Sequence, residues 1–369
     1  MNILLFPRIV ANTGVGNHVV QLSAELCKQG HKVTVVSAYT VQEFCSEVNF
    51  VKLPVDSNSP IQIIKVIKKL HKLIKEQNID IVHAHHRKAA LIMKIYNIFH
   101  KMPFVYTLHS SNVPSDFLHR KLTFVGDRAI AISGDVQDFL VKTIKINPKK
   151  IAQIANGVEK IEGLTAPEVA SKKNEWGIPQ DKIVLTMHSR IDPVKNHEVL
   201  IDAVASLSEP VKEKVIVVFS GEKSGNYYNS IVQKINDLKI NDKFIFVGWQ
   251  KTANVLGVTD FLFLPSFKEG FSLSVVEAFM LKVPVARTVT GGFYEQKFCL
   301  PIDVSDPKPI IEIIENLVEN GKEYYADRTE SAYNLAMSDF TIETMVRKIV
   351  DLYEEVCSGK STNRKRRTK

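Results

Sequence analysis

Short β-branched runs alternate with helix-length amphipathic segments from one end of the chain to the other, and few folds besides parallel sheets covered by helices accept that alternation. Asn2–Phe6, Lys32–Ser37, Ile79–His83, Phe104–Leu108 and Arg128–Ile132 are predicted as strands of a first sheet. Between the first two, Val15–Gln29 places Val19, Val20, Leu22, Leu26 and Cys27 close to the helical period, with Gly30 as a stop. A more polar stretch, Asn156–Asp181, reads as a linker. Beyond it, Ile183–His188, Lys214–Phe219, Phe244–Val247 and Phe261–Pro265 are predicted as strands, with helices such as Val194–Leu207 and Asn226–Leu238. The expected fold is α/β, with two Rossmann-like doubly wound domains facing a central cleft at the carboxyl ends of both sheets.

A length of 369 residues exceeds the ~100–150 typical of one domain, and a 45% hydrophobic content suffices for two cores. No apolar run approaches the ~18 residues of a membrane span. Pro7 and Arg8 interrupt the opening Met1–Phe6 run before it reads as a signal peptide, so a cytoplasmic protein is expected. Cys27, Cys45, Cys299 and Cys357 are scattered, which argues against disulfide staples and against a structural zinc site.

The net charge of +8 is unevenly divided. Residues 1–160 hold 21 Lys/Arg against 11 Asp/Glu, residues 161–359 hold 21 against 29, and the last ten hold 6 against none. The first half and the tail are therefore expected to meet anionic partners, a membrane surface or a nucleic acid. The tail Asn363–Lys369 is expected to be disordered.

Chemistry concentrates in Asp260–Phe279, DFLFLPSFKEGFSLSVVEAF, where a strand leads through a loop into a helix. A helix starting near Ser272 directs free backbone N–H groups and its positive dipole end at a ligand, a ready phosphate site, and Gly270 lets the backbone come close. Glu277 is placed to accept hydrogen bonds from ribose hydroxyls, and Glu269 from those of a transferred sugar. Upstream, HSRIDPVKN at His188–Asn196 brings Arg190 and Lys195 to the same strand edge, where two fixed cations stabilise a leaving diphosphate. Taken alone, the glutamates read as solvated charges and the cations as surface residues. No D-x-D pair is present to hold a divalent ion, so protein cations are the natural substitute and no metal or other cofactor is expected.

These segments, with the opening NTGVGNHVVQL at Asn12–Leu22, DIVHAHH at Asp80–His86, TLHSS at Thr107–Ser111, AISGDV at Ala131–Val136 and NGV at Asn156–Val158, resemble the family 4 glycosyltransferases of the GT-B fold. The resemblance implies transfer with retention of anomeric configuration, donor diphosphate binding by Arg190 and Lys195, and ribose binding by Glu277. It places Glu269, Gly270, Phe271, Ser272, Leu273 and Ser274 against the donor sugar and phosphates. Gly14 and Gly16 match the small residues that let a donor phosphate or the acceptor approach, although Thr13 stands where the family has a first glycine. His109, at the end of Phe104–Leu108, matches the active-site histidine beside the donor sugar, and a neutral imidazole suits that role. His83, His85 and His86 are weighed as packing and acceptor contacts above a metal cluster, and Ser133 as a helix N-cap. In the family the final helix, here Thr341–Val356, crosses back to the first domain. The expected division is thus residues 1–160 joined by 341–369, and 161–340 as the nucleotide-sugar domain.

Ile61–Gln77 carries Ile63, Ile64, Ile67, Leu70 and Ile74 as an expected apolar face, while Lys65, Lys68, Lys69, Lys72 and Lys75 crowd the opposite side with Glu76 alone to offset them. That stripe is expected to face anionic lipid head groups. The leading expectation is a hexosyltransferase-type enzyme moving a sugar, from a uridine diphosphate donor by preference, to a lipid-linked or cell-surface glycan precursor such as that of a polysaccharide or lipopolysaccharide. It would work at the inner face of the membrane as a peripheral protein. A small soluble acceptor or nucleotide-sugar epimerisation are the enzymatic alternatives. A nucleic-acid-binding role lacks a recognition motif, and specific nucleic-acid binding is not expected.

Overall fold

The structure, a computed structural model, describes the whole chain except Asn12, Asn112, Pro114, Ser224 and residues 366–369, and all side chains in that range except those of Leu118, His119 and residues 360–365. It divides into two compact units, Met1–Glu159 with Asp339–Lys369, and Lys160–Ser338.

Unit 1 runs β1 (Asn2–Phe6), α1 (Gly14–Lys28), β2 (Lys32–Ser37), β3 (Asn49–Lys52), α2 (Pro60–Glu76), β4 (Ile81–Ala84), α3 (Arg87–His100), β5 (Phe104–Leu108), α4 (Phe117–Lys121), β6 (Arg128–Ala131), α5 (Gly134–Asp138) and β7 (Ile151–Gln153). Its seven strands are parallel in the order β3-β2-β1-β4-β5-β6-β7. The order reverses between β1 and β4, and in open parallel sheets that reversal opens a crevice at the carboxyl ends of the two strands.

Unit 2 continues with α6 (Ala166–Glu175), β8 (Ile183–His188), α7 (His197–Ser206), α8 (Glu209–Lys212), β9 (Val215–Ser220), α9 (Gly225–Asp237), β10 (Phe244–Gly248), α10 (Thr252–Gly257), β11 (Phe261–Leu264), α11 (Leu273–Met280), β12 (Val285–Thr288), β13 (Leu300–Ile302), α12 (Lys308–Asn320) and α13 (Ala326–Asp339). Its six-stranded parallel sheet, β10-β9-β8-β11-β12-β13, reverses between β8 and β11. Both units are therefore doubly wound, as the alternating pattern predicts.

The last helix, α14 (Ile342–Lys365), belongs to unit 1. Ile342, Met345, Val346, Ile349, Leu352, Tyr353 and Val356 are buried with Ile3, Leu5, Val19 and Leu22 in one core. At about 1.5–3 kcal/mol for each large apolar side chain buried, this face commits the end of the chain to the first sheet. The helix continues to Lys365, so the start of the tail expected as disordered is helical, while 366–369 lie outside the described residues.

Three differences from the sequence expectation have physical causes. The predicted helix Val194–Leu207 is split: Pro193–Lys195 is a 3-10 turn, Asn196 takes a left-handed φ of 57°, and α7 starts only at His197. Asn196 is buried and donates to the carbonyls of Val304 (2.7 Å) and Pro265 (3.3 Å), which holds the break in place. On α2 the buried line is Val66, Leu70 and Ile74, and Ile64 is 55% exposed rather than part of the packed face. At 100° per residue Ile64 lies about 120° round from the centre of that line, on the same outer side as Lys65, Lys68, Lys69, Lys72 and Lys75, which are also exposed. The strand expected from Ile79 starts at Ile81, because Asp80 turns its carboxylate to accept from the Asn2 amide (2.7 Å).

Candidate functional site

In unit 2 the nominated residues gather where β8 and β11 lie side by side. After β8, Asp192 caps the 3-10 turn by accepting from the Val194 amide (3.0 Å), and the Val194 carbonyl accepts from the Phe267 amide of the loop after β11 (2.9 Å). The two loops are thereby tied together. Lys195 Nζ then donates to Glu269 Oε1 at 2.6 Å, with both side chains mostly withdrawn from solvent. Arg190 stands more open, 3.8 Å from Asp192.

Past Glu269 and Gly270, the chain buries Phe271 and enters α11 at Ser272, which is extended at φ −76°. The Ser272 side chain does not cap the helix amides and its hydroxyl lies 3.0 Å from that of Ser274. The side chain of Ser272 thus does not close the start of α11, and an uncapped helix start is the kind of place that suits an anion. Glu277 sits a turn further in. Burial pushes its carboxyl up to about 7, against a hydrogen bond from Thr252 that lowers it.

Unit 2 also holds partners that the sequence reading passed over. Thr252 joins Glu277 to His188, whose Nε2 lies 3.3 Å from the Thr252 hydroxyl. Arg287, on the internal strand β12, is fully buried; it donates to Gln296 Oε1, to the Thr290 hydroxyl (3.0 Å) and to the Gly291 carbonyl (2.7 Å). Gln296 Nε2 in turn donates to the Ser272 carbonyl (2.6 Å), so a buried chain of hydrogen bonds runs from β12 to the start of α11. Gly292, at φ +75°, packs so closely that a Cβ there would stand 3.0 Å from the Phe271 ring. An Arg in the strand VART was the one signal available for this support.

In unit 1 the loop after β1 enters α1 through Thr13, whose hydroxyl accepts from the Gly16 amide (3.2 Å), so the residue replacing the family's glycine acts as an N-cap. Gly14 has open space around it. A Cβ on Gly16 would lie 1.9 Å from the Ala11 carbonyl oxygen, so only glycine fits there.

His109 follows β5 and is partly exposed. Burial of its ring, with His18 and His83 nearby, holds its pKa well below the ordinary histidine value. His85 Nδ1 lies 3.2 Å from His109 Nε2, and the His18 ring stands edge-on to His109 at 4.8 Å between centroids.

The three histidines weighed together from sequence do different things. His83 is fully buried between the Tyr353 hydroxyl and the Thr107 hydroxyl, both at 2.6 Å; His86 accepts from the Lys88 amide at the start of α3; His85 turns to His109. Ser133 occupies the N-cap position of α5, but its hydroxyl makes no cap hydrogen bond and is buried without a partner among the described residues. Among those residues, no helix is long and apolar enough to cross a membrane.

Comparison with known proteins agrees with both units. Residues 12–160 match the family described as Glycosyltransferase Family 4, and residues 168–334 match Glycosyl transferases group 1. The chain is 24% identical over 314 residues, 80% of each chain, to the N-acetyl-alpha-D-glucosaminyl L-malate synthase of Bacillus anthracis. It is 23% identical over 360 residues, 91% of this chain and 89% of the other, to the UDP-Gal:alpha-D-GlcNAc-diphosphoundecaprenol alpha-1,3-galactosyltransferase of Escherichia coli. Among solved structures, the glycosyltransferase of Rickettsia africae superposes with a TM-score of 0.85 at 21% identity, covering 96% of this chain and 98% of that one. Anabaena HepE, crystallised with UDP, gives a TM-score of 0.82 at 18% identity, covering 96% of this chain and all of the other. The fold is that of the GT-B glycosyltransferases.

Proposed function

Because the chain belongs to glycosyltransferase family 4 and is therefore an enzyme of sugar transfer, we propose that it moves a hexose from a nucleotide-diphosphate donor, UDP by preference, to a lipid-linked glycan precursor, with retention and without a metal ion. The observation that carries this reading is the Lys195–Glu269 pair beside the uncapped start of α11. A cation, a carboxylate and free helix amides then meet one diphosphate-linked sugar: Lys195 and Arg190 take the leaving phosphate charge, the amides at Leu273 and Ser274 hold its oxygens, and Glu269 accepts from sugar hydroxyls. Glu277 accepts from the ribose. In unit 1, His109 matches the family's active-site histidine in sequence, and its neutral ring suits a role in transfer.

The UDP reading is supported by the nucleotide bound to the Anabaena neighbour, and the lipid-linked acceptor by the diphosphoundecaprenol substrate named for the Escherichia coli relative. A small soluble acceptor has its own support in the malate named for the Bacillus relative. The decisive experiment is a transfer assay over nucleotide sugars with lipid-linked and small acceptors, run in excess chelator. Full activity in chelator is expected; activity lost to chelator and restored by magnesium or manganese would refute the metal-free mechanism.

Glu277 gives the donor affinity a pH dependence. An acid whose pKa is raised to about 7 is protonated below that value and ionised above it, and ribose hydroxyls donate best to the ionised form. Affinity for a nucleotide sugar, whose phosphate diesters do not titrate in this range, should fall about tenfold from about pH 8 to about pH 6. Calorimetry with Glu277→Gln should show weak binding with that slope abolished; an unchanged slope would place the titrating group elsewhere.

Attachment to a membrane is the remaining part of the proposal. The five lysines of α2 stand exposed, next to Ile61 and Ile64 at 66% and 55% exposure. Each Lys near an anionic surface contributes ~1 kcal/mol, enough in sum for salt-sensitive peripheral binding. The protein should sediment with anionic vesicles and be released by high salt, and changing Lys65, Lys68, Lys69 and Lys72 to Glu should weaken that binding. Equal partitioning onto neutral vesicles would favour the soluble acceptor.

A further inference from the structure

We propose that His18, His85 and His109 form a binding site for a divalent transition metal of the zinc class, and that its occupancy inhibits transfer. The three rings come from α1 and from the ends of β4 and β5, so the reversal of strand order in unit 1 brings them together. One nitrogen from each lies within 4.8 Å of the others. The 3.2 Å between His85 Nδ1 and His109 Nε2 is close to the about 3.3 Å that separates two ligands on a tetrahedral zinc ion.

Two further observations point to a ligand. His18 Nε2 is buried with no hydrogen-bond partner among the described residues, an arrangement that costs free energy unless something coordinates it. The chemistry also selects the ion class. All three rings are kept neutral by burial, so at ordinary pH they offer lone pairs rather than positive charge, which disfavours an anion. The set contains no oxygen ligand, which disfavours magnesium and calcium and favours zinc, copper or cobalt. Moving the proton shared by His85 and His109 to the far side of its ring frees both facing nitrogens, and three imidazoles leave a fourth coordination position open.

The binding proposal rests on the placement of the three rings, and the inhibition proposal on the role proposed for His109. Tag-free full-length protein, stripped with chelator and dialysed, would be titrated with Zn²⁺ by calorimetry and with Co²⁺ by visible absorbance. One ion per chain is expected, with a tetrahedral cobalt band. His18→Gln and His85→Gln should each weaken binding at least ~tenfold. His71→Gln, at the separate His71–His100 stack of α2 and α3, should leave it unchanged.

Should either site variant misfold, shifts of the wild-type His18, His85 and His109 imidazole signals on zinc addition give the same test by NMR. No binding, or binding indifferent to both His18→Gln and His85→Gln, overturns the site. Zinc bound at these residues in a protein that transfers no sugar would leave the site standing and defeat the proposed function. Zinc bound there with transfer unaffected would overturn the inhibition.

Discussion

Lys195→Ala should lower the rate of the chemical step by about two to three orders of magnitude, the ~2.7–4 kcal/mol typical of removing one preorganised stabiliser of developing charge. Lys195 is held before any donor arrives. Its ammonium is fixed by the 2.6 Å bond to Glu269 and by a 3-10 turn whose end is set by the buried side chain of Asn196, so no reorganisation is needed as the sugar–phosphate bond lengthens. Removing it also strips Glu269 of its ion-pair partner. Single-turnover transfer should therefore fall much more than donor affinity falls, while Glu277→Ala should act largely on donor affinity. A Lys195→Ala protein with near-normal single-turnover rate would remove this lysine from the mechanism.

Arg287→Ala should produce the largest loss of stability, about 3 kcal/mol or more. The substitution empties a large, fully buried volume in an internal strand, comparable to truncating a core aromatic, and strands the Gln296 amide oxygen and the Gly291 carbonyl without their donor. For a domain of this size that corresponds to a fall of about 6–12 °C in the Tm of unit 2. The same variant should loosen donor binding, because Gln296 holds the Ser272 carbonyl at the start of α11. Calorimetric unfolding within 1 kcal/mol of wild type would show that neither the buried volume nor these hydrogen bonds stabilise unit 2 appreciably.

Much of this arrangement was legible in the sequence because parallel sheets put ligand-binding residues just after strands, and strands such as Ile183–His188 are unbroken apolar runs. The positions of Arg190, Lys195 and Glu269 in loops after strands, of Glu277 in the helix that follows, and of His109 just after β5 were legible that way. The strands that were missed fail the same test. β3 and β7 are short edge strands, β12 carries an arginine and β13 is centred on Pro301. The break at Asn196 was hidden because a left-handed residue stabilised by distant carbonyls leaves no local trace. The histidine cluster was hidden for a related reason: sequence proximity suggested His83, His85 and His86, while strand order brings His85 to His18 and His109.

The attachment of α14 to the first sheet also sets the order of events during synthesis. Tyr353, which shields His83 and completes the core of unit 1, is translated only after the whole of unit 2. At about 5–20 residues per second the first unit waits on the order of ten to forty seconds with the share of its core that α14 covers left open, while the second unit has everything it needs to close. The nascent chain therefore matures back to front. That opening in the core of the half already made marks the interval in which a chaperone is most needed, and a stop codon that removes the last helix should yield a protein whose second unit is sound and whose first aggregates.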